Sequence, residues 1–238
     1  MSDKKLPVHI GIIMDGNGRW AQSQGKPRSF GHQEGLKIAK KIAIAALNAG
    51  IKYLSLYVFS TENWKRAEEE ISFLMQLIKK HLKAEYDFYK ENQIRVFHSG
   101  DLKKLPKEIQ DEITDVTEAT SSFDKLSVNL AINYGGRDEI IRAVNRWAKN
   151  RSGAEDFTES DFNKYLDLPH VPDPDLIIRT AGDLRLSNFL LWESAYSELY
   201  FSKKMWPEWT EEDFNKALQE YMTRDRKFGA LYEGKQNE

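Results

Sequence analysis

An Asp-Gly-Asn-Gly-Arg-Trp run, Asp15 to Trp20, follows directly on a short apolar stretch. Two glycines, Gly16 and Gly18, let backbone N–H groups come close to an anion. Asn17 lies between them, and Arg19 adds charge-assisted hydrogen bonds. Asp15 alone would repel a phosphate. It fits once a divalent cation stands between them, since Mg2+ is commonly held by one or two carboxylates plus substrate phosphate oxygens. A tight turn with a capping aspartate explains the same letters, so the run gains weight only from its company. That company is Ser60-Thr61-Glu62-Asn63-Trp64-Lys65-Arg66, then Asn133-Tyr134-Gly135-Gly136-Arg137, then the stretch from Arg179 to Asn188. The last stretch places Arg179, Arg185 and Ser187 on one loop, while Arg28 and Arg66 stand on two others. Any one arginine reads as a solvated surface charge, but several converging guanidinium groups suit a diphosphate, which they bind bidentately. Glu198 follows Trp192 and Tyr196 in an aromatic stretch where a carboxylate needs a cation or an arginine. The five histidines have no paired metal-ligand spacing, and His32, near the first loop, fits a capping or packing role as well as a functional one.

Competing motifs fare worse. Gly16 to Ala21 matches G-x-G-x-x-A after a strand, the pattern of a dinucleotide-binding turn. However, Gly25 and Pro27 interrupt the helix that should follow, and no acidic residue tips the next strand. A phosphatase with an aspartate nucleophile would want a second acid two residues on, where Asn17 stands. Neither a P-loop nor a G-x-S-x-G elbow is present.

The loops need a frame that gathers them. Short β-branched or aromatic runs at 8–14, 53–59, 94–98, 126–132 and 176–178 read as buried strands, with a sixth expected at 189–192. Helical patterns fill about 33–48, 67–92, 106–121, 138–150 and 211–227, with one short helix in the polar stretch 152–174. Residues 15–31, with four glycines and Pro27, read mostly as loop. Strands alternating with helices imply a single α/β domain over 1–238, with a mostly parallel sheet of about six strands flanked by helices. In such sheets ligands bind beyond the carboxyl ends of the strands, which is where the chemistry-bearing loops fall. At about 100° per residue, the longest helical pattern carries two apolar stripes. One runs through Ile71, Leu74, Met75, Ile78, Leu82, Tyr86 and Tyr89; the other holds Phe73, Leu77, His81, Ala84 and Phe88. Either the helix is sandwiched, or one stripe lines an apolar cavity.

Composition narrows the class. The 238 residues are 40% hydrophobic and 30% charged, a globular balance. There is no cysteine, which excludes disulfides, a thiol nucleophile and thiolate zinc. Lys+Arg 35 against Asp+Glu 37 leaves a formal net charge of −2, so no whole-chain basic field for nucleic acid exists. No apolar run approaches the roughly 20 residues needed to span a bilayer, and the N-terminal stretch lacks a small-residue cleavage pattern. The expected location is cytoplasmic.

The motifs HIGIIMDGNGRWA, Gly31-His32, FSTENWKR, NYGGR, LIIRT, RLSNFLLW and SAYSELYF resemble the cis-prenyltransferases, the isoprenyl diphosphate synthase family that includes bacterial undecaprenyl diphosphate synthase. The resemblance covers nearly the whole chain in family order. The DDxxD clamp of trans-prenyl synthases is absent, in agreement. It implies an apolar tunnel between sheet and helices, and a Mg2+-dependent condensation of isopentenyl diphosphate onto an allylic diphosphate, farnesyl diphosphate being the expected primer and undecaprenyl diphosphate, for the cell-wall lipid carrier, the expected product. It implies Asp15 as the essential acid and a Mg2+ ligand, with Gly16, Asn17, Gly18, Arg19 and Arg28 on the allylic diphosphate. Trp20, His32, Ser60, Thr61, Glu62 and Trp64 would complete the substrate site, with Asn63 and Arg66 where the proton leaves. Arg179, Arg185, Leu186 and Ser187 would hold isopentenyl diphosphate, and Glu198 would be a second Mg2+ ligand. It further implies a homodimer, a tail at Arg224 to Gly229 that reaches across it, and transient membrane contact peripheral to the bilayer. Two departures stand out: Ala181-Gly182-Asp183 where Ser-Gly-Glu or Gly-Gly-Glu is common, and Glu193 where Gln is frequent. A non-catalytic scaffold subunit of a heteromeric prenyltransferase is the alternative. Such subunits lack parts of the first loop and the N-x-x-R element, whereas Asp15, Asn63 and Arg66 are all present here.

Overall fold

A strand covered on both faces must be apolar along its whole length, and β1 (His9–Ile13) is buried at every position. It lies inside a six-stranded sheet with β2 (Tyr53–Ser60), β3 (Ile94–Ser99), β4 (Leu126–Tyr134), β5 (Leu176–Arg179) and β6 (Glu198–Phe201). The order is β3-β4-β2-β1-β5-β6 and every pairing is parallel. The structure is a computed structural model and describes residues 6–150 and 156–226. The helices are α1 (Asn17–Ser23), α2 (Arg28–Ala49), α3 (Glu68–Ala84), α4 (Tyr86–Asn92), α5 (Lys107–Ala119), α6 (Gly136–Asn150), α7 (Glu159–Asn163) and α8 (Glu211–Thr223). Ile10, Ile12, Leu54 and Ile178 pack with α2 and α8 on one face, around Trp206 and Trp209. Beside them, Phe59, Val96 and Ile132 meet α3 and α5. Ile13, Ala131 and Ile177 face the other way, onto Phe189 and Leu190. The chain is thus a single-domain α/β protein, as its alternating pattern implies.

Four expectations need correction. The run 189–192 is not a strand. Ser187, Asn188 and Leu190 all take positive φ, so the chain turns there and buries Phe189 and Leu190 as a plug; the sixth strand is Glu198–Phe201. The run 67–92 is not one helix. It breaks at Glu85 (φ −97°, ψ 8°), a residue type that announces no break. Residues 15–31 are not mostly loop: α1 begins at Asn17 and α2 at Arg28, earlier than expected. Gly16, at φ 103°, makes the turn into α1. Glycines inside α2 do not end it; a Cβ at Gly31 would collide with the Asn17 carbonyl, so the residue serves the close approach of α1. The last helix ends at Thr223, and Lys227 to Gly229 lie outside the described residues.

The core holds polar groups that find partners. Asn129 Nδ2 donates to Ser55 Oγ and Ser99 Oγ (both 3.1 Å), and His9 Nε2 meets Ser55 Oγ at 2.8 Å. Burial lowers the His9 imidazole to about 4, so it is neutral at pH 7. Glu193 is the demanding group. Burial, then the adjacent Glu139, pushes its carboxyl well above the ordinary value of 4.5. Its Oε2 is buried with no hydrogen-bond partner. A proton on Glu193, shared towards Glu139, relieves both carboxyls. A carboxyl raised in the folded state binds its proton more tightly than the unfolded chain does. Its penalty is therefore absent below about pH 4.5 and grows as pH rises towards the folded value. Glu193→Gln, a neutral isostere, should raise Tm over wild type by about 2–4 °C at pH 8. The gain should shrink to nothing near pH 4.5. A pH-independent difference in thermal melts would contradict the protonated assignment.

Candidate functional site

The carboxyl ends of β1, β2 and β5 open onto one cavity of about 680 Å³ that runs beneath the rim between the sheet, α2 and α3. At the rim, Arg179 ends β5 with its side chain only 3% exposed. A charge so buried needs compensation. Arg179 Nη2 donates to Asp15 Oδ2 (2.9 Å), and Nη1 donates to Ser187 Oγ (2.7 Å) and to the Arg185 carbonyl (2.5 Å). Asp15 is 34% exposed, and Arg19 Nη2 also approaches its Oδ2, at 3.5 Å. Asp183, on the loop after β5, sits between Arg19 (3.1 Å), Arg185 (2.8 Å) and Arg179 (3.6 Å). Burial pushes the Asp183 carboxyl up, but the Arg185 hydrogen bond and the surrounding arginine charges bring it below the ordinary value. The same loop carries positive φ at Ala181, Ser187, Asn188 and Leu190. Such backbone persists only where its surroundings fix it, and it clusters at functional sites.

Across the cavity mouth a second cluster forms around Glu70 at the start of α3. Its carboxylate accepts from Arg28 Nε (3.0 Å) and Arg66 Nη1 (3.0 Å), and His32 Nε2 lies 3.4 Å away. Burial raises this carboxyl, while the Arg28 hydrogen bond and the neighbouring cationic charges pull it below the ordinary value. Burial also lowers His32, outweighing the Glu70 charge, so the imidazole is neutral at pH 7. Between the clusters, Asn63 caps the end of β2, its Oδ1 accepting from Ser60 N at 3.1 Å. Glu62 accepts from Asn188 Nδ2 (2.8 Å), which ties the second rim loop to the last one. The first-turn N–H groups of α1, those of Asn17, Gly18 and Arg19, have no partner within the helix and border the same space.

The structure therefore brings most of the expected residues together. Asp15 to Arg19, Arg28, His32, Ser60, Glu62, Asn63, Arg66, Arg179, Arg185 and Ser187 all border the cavity. Five expected residues do not. Trp20 stacks on Phe30, Thr61 packs against Gly135, and Trp64 Nε1 donates to Asn133 Oδ1 at 2.8 Å. Leu186 packs on the buried Phe189 cluster. Glu198 sits level with Leu176, at the amino end of its strand and away from Asp15, and accepts from Arg224 Nη1 at 2.9 Å. Two residues at the site escaped the sequence. Glu70 reads as one of three acids in a first helical turn, although Arg66 four residues earlier is an i,i+4 signal. Trp206, whose backbone N–H donates to the Asp15 carbonyl at 2.9 Å, carried no signal.

Below the rim the walls turn apolar: Leu36, Ala39 and Ala43 from α2, Leu74, Leu77 and Ile78 from α3, and Val128 and Leu130 from β4. The lining draws on both stripes of the α3 pattern, so the sheet side and the α2 side share the cavity. Among the described residues no cluster of three or more histidines, cysteines or acids is set to hold a metal. Asp15 is a carboxylate at the mouth, available to a cation that takes its other ligands from a substrate.

A cationic rim over an apolar cavity suits substrates with an anionic head and a hydrocarbon tail. The chain belongs to the prenyltransferase family: residues 13–229 match the family model "putative undecaprenyl diphosphate synthase". It is 52% identical over 221 residues to the isoprenyl transferase of Treponema denticola, spanning 93% of this chain and 96% of the relative. With the isoprenyl transferase of Thermotoga maritima it shares 48% over 232 residues, 97% and 100% of the two chains. Lavandulyl diphosphate synthase from Lavandula x intermedia, solved in complex with dimethylallyl diphosphate, superimposes with TM-score 0.90 at 34% identity, over 94% of this chain and 98% of that one. A probable undecaprenyl diphosphate synthase from Campylobacter jejuni gives TM-score 0.81 at 37% identity, over 94% and 99%. The chain is therefore a transferase with cis-prenyltransferase activity.

Because Glu70 holds Arg28, Arg66 and His32 in one arrangement, Glu70→Gln should lower kcat/KM for the allylic substrate by about 10- to 100-fold. Steady-state kinetics with unchanged circular dichroism would show it; wild-type kinetics would remove Glu70 from the site.

Proposed function

We propose that the enzyme adds isopentenyl diphosphate units to farnesyl diphosphate with cis double-bond formation, and that its product is undecaprenyl diphosphate. The observation that carries this is the direct opening of the arginine-lined rim onto the apolar cavity. Two diphosphate heads fit the two cationic clusters, one around Arg28 and the first turn of α1, the other around Arg179, Arg185 and Ser187. The growing chain fits the cavity below.

In each cycle the allylic C–O bond breaks, the double bond of isopentenyl diphosphate forms the new C–C bond, and a proton leaves the added unit. Negative charge grows on the departing diphosphate. Arg19, Arg28 and the α1 N–H groups are placed to stabilise it. Arg179, fixed by Asp15 and Ser187, orients the second diphosphate with Arg185. Asn63, between the two clusters, and Arg66, beside Arg28 on Glu70, act where the proton is lost, and the apolar walls exclude water from the reacting carbons. Asp15 would hold Mg2+ together with diphosphate oxygens, in the one-carboxylate manner typical of that ion. When bound, Mg2+ supplies further neutralisation of the leaving charge. Glu198, paired to Arg224 at the other end of β6, does not join Asp15 within one chain.

A homodimer belongs to this reading, since β6 is an edge strand with exposed Leu199 and nearby Tyr196. So does transient membrane contact from the cytoplasmic side, because the product partitions into lipid. Among the described residues no helix is long and apolar enough to cross a membrane.

The purified protein alone, given farnesyl diphosphate, labelled isopentenyl diphosphate and Mg2+, should make a long prenyl diphosphate. No incorporation would favour the scaffold-subunit reading, and nicotinamide binding would favour an oxidoreductase. Asp15→Ala should abolish turnover, a loss of about 10³-fold or more. Because Asp15 also neutralises buried Arg179, both variants should melt below wild type; Asp15→Asn, which keeps the shape, is the gentler test and should be almost as inactive while circular dichroism shows it folded. Wild-type turnover in either variant would defeat the role given to Asp15. Leu77 and Phe88 line the cavity. Small and large replacements at each should lengthen and shorten the product, as chromatographic sizing would reveal; an unchanged length across the series would refute the cavity as the product site.

A further inference from the structure

Three rim loops meet at the side chain of Asn188. The residue lies on the loop after β5, at φ 67°, a left-handed backbone that asparagine tolerates because its short polar side chain bonds locally. Its carbonyl accepts from Gly136 N at 2.7 Å, and its Oδ1 accepts from Arg137 N at 2.9 Å. These N–H groups open α6 and have no partner inside that helix. Asn188 therefore caps α6 from a different loop, and the helix gives it a rigid anchor. The other end of the amide turns to the loop after β2, where Nδ2 donates to Glu62 Oε1 at 2.8 Å. Burial raises the Glu62 carboxyl, but the Asn188 hydrogen bond and others within its own loop bring it below the ordinary value, so it is ionised at pH 7. The fit is close: a Cβ at Gly135 would lie 2.5 Å from Thr61 Oγ1 and 2.7 Å from Asn188 Nδ2.

The neighbours of Asn188 give this junction its meaning. Ser187, at φ 49°, is also left-handed, and two successive residues in that region need fixing from outside the loop. Ser187 Oγ accepts from Arg179 Nη1 at 2.7 Å, and its carbonyl lies 3.3 Å from the Tyr57 hydroxyl. Arg185, two residues earlier, is largely exposed, so its reach depends on how the loop is held. On the other side, Glu62 is the chain neighbour of Asn63. One hydrogen bond, Asn188 to Glu62, thus fixes the loop of Arg185 and Ser187 against the loop of Asn63.

We propose that Asn188 is a positioning residue that, by bonding Glu62 while capping α6, holds Ser187 and Arg185 in place for isopentenyl diphosphate. It acts through these neighbours, on the side of the reaction where the added unit must sit close to Asn63. This rests on the placement of isopentenyl diphosphate proposed above and adds the group that maintains it.

Asn188→Asp separates the two jobs of the side chain. Aspartate caps a helix N-terminus as well as asparagine does, so α6 keeps its cap, while a carboxylate replaces the donor that faces Glu62. With circular dichroism showing a folded protein, KM for isopentenyl diphosphate should rise by about 10-fold or more, and KM for farnesyl diphosphate should stay near wild type. Adding Glu62→Gln to that variant restores a hydrogen bond of reversed polarity and should lower the raised KM by about threefold or more. A role in capping alone would leave KM for isopentenyl diphosphate at the wild-type value in Asn188→Asp, which overturns the proposal. A double variant no better than Asn188→Asp overturns it too. If Asn188→Asp does not fold, Asn188→Gly carries the test, since glycine accepts the same φ and loses both side-chain bonds. A selective rise in KM for isopentenyl diphosphate supports the proposal there, and an equal change in both KM values, or none, contradicts it. Arg185→Ala tests the underlying placement. An unchanged KM for isopentenyl diphosphate in that variant refutes the placement and the proposal together. A raised KM there, with wild-type values in the Asn188 variants, refutes the positioning role alone.

Discussion

A guanidinium buried at the end of a strand must be neutralised, and Arg179 meets this demand through Asp15. That one contact joins the end of β1 to the end of β5 and sets the rim. It draws Ser187 and the Arg185 carbonyl inward, so the chain from Ala181 to Leu190 folds back through several left-handed residues. The same fold-back buries Phe189 against Tyr57 and Tyr134. The compensation is incomplete, since Arg179 Nε is buried with no partner and Arg185 stays largely exposed. The rim has cationic capacity to spare, suited to an anion.

The second constraint is the meeting of opposite solvents. A diphosphate wants arginines and water, while a prenyl chain wants neither. The parallel sheet resolves this by geometry: strand ends supply the polar loops, and the faces beneath supply hydrocarbon. Glycines at Gly31 and Gly35 let α2 press close to α1, which brings Arg28 and His32 to the mouth and leaves Leu36 and Ala39 on the wall below. Polar bridges at either end of α3, from Glu70 to Arg28 and from Glu85 to Lys40, then hold the helix over the opening without filling it.

Much of this could be read from residue order. The strands announce themselves as apolar β-branched runs, and the rim loops follow because parallel strands end at one edge. Asp15, Arg28, Arg179 and Arg185 were legible as charged residues on separate loops that such a sheet must gather. What escaped depends on contacts that no local pattern encodes. The apolar run at Phe189 looks like a strand because burial alone produces that pattern, whereas positive φ on both sides makes it a plug. Glu85 breaks a continuous helical periodicity at φ −97°, ψ 8°, where no residue type announces a break. Glu70 was hidden among ordinary first-turn acids. Trp20 and Trp64 looked like site residues, yet their rings pack beside the cavity, and Glu198 lies at the amino end of its strand, a placement that depends on where β6 begins.

On the proposed reading, one rim gathers two diphosphates over a single hydrocarbon cavity. Its most direct test is a crystal structure with Mg2+, isopentenyl diphosphate and a non-ionisable thio analogue of farnesyl diphosphate. One head is expected at Arg28 and the first turn of α1, the other at Arg179, Arg185 and Ser187, with Asp15 between them. The farnesyl tail is expected to descend between α2 and α3. Heads bound on separate faces, or a tail lying outside that cavity, would contradict it.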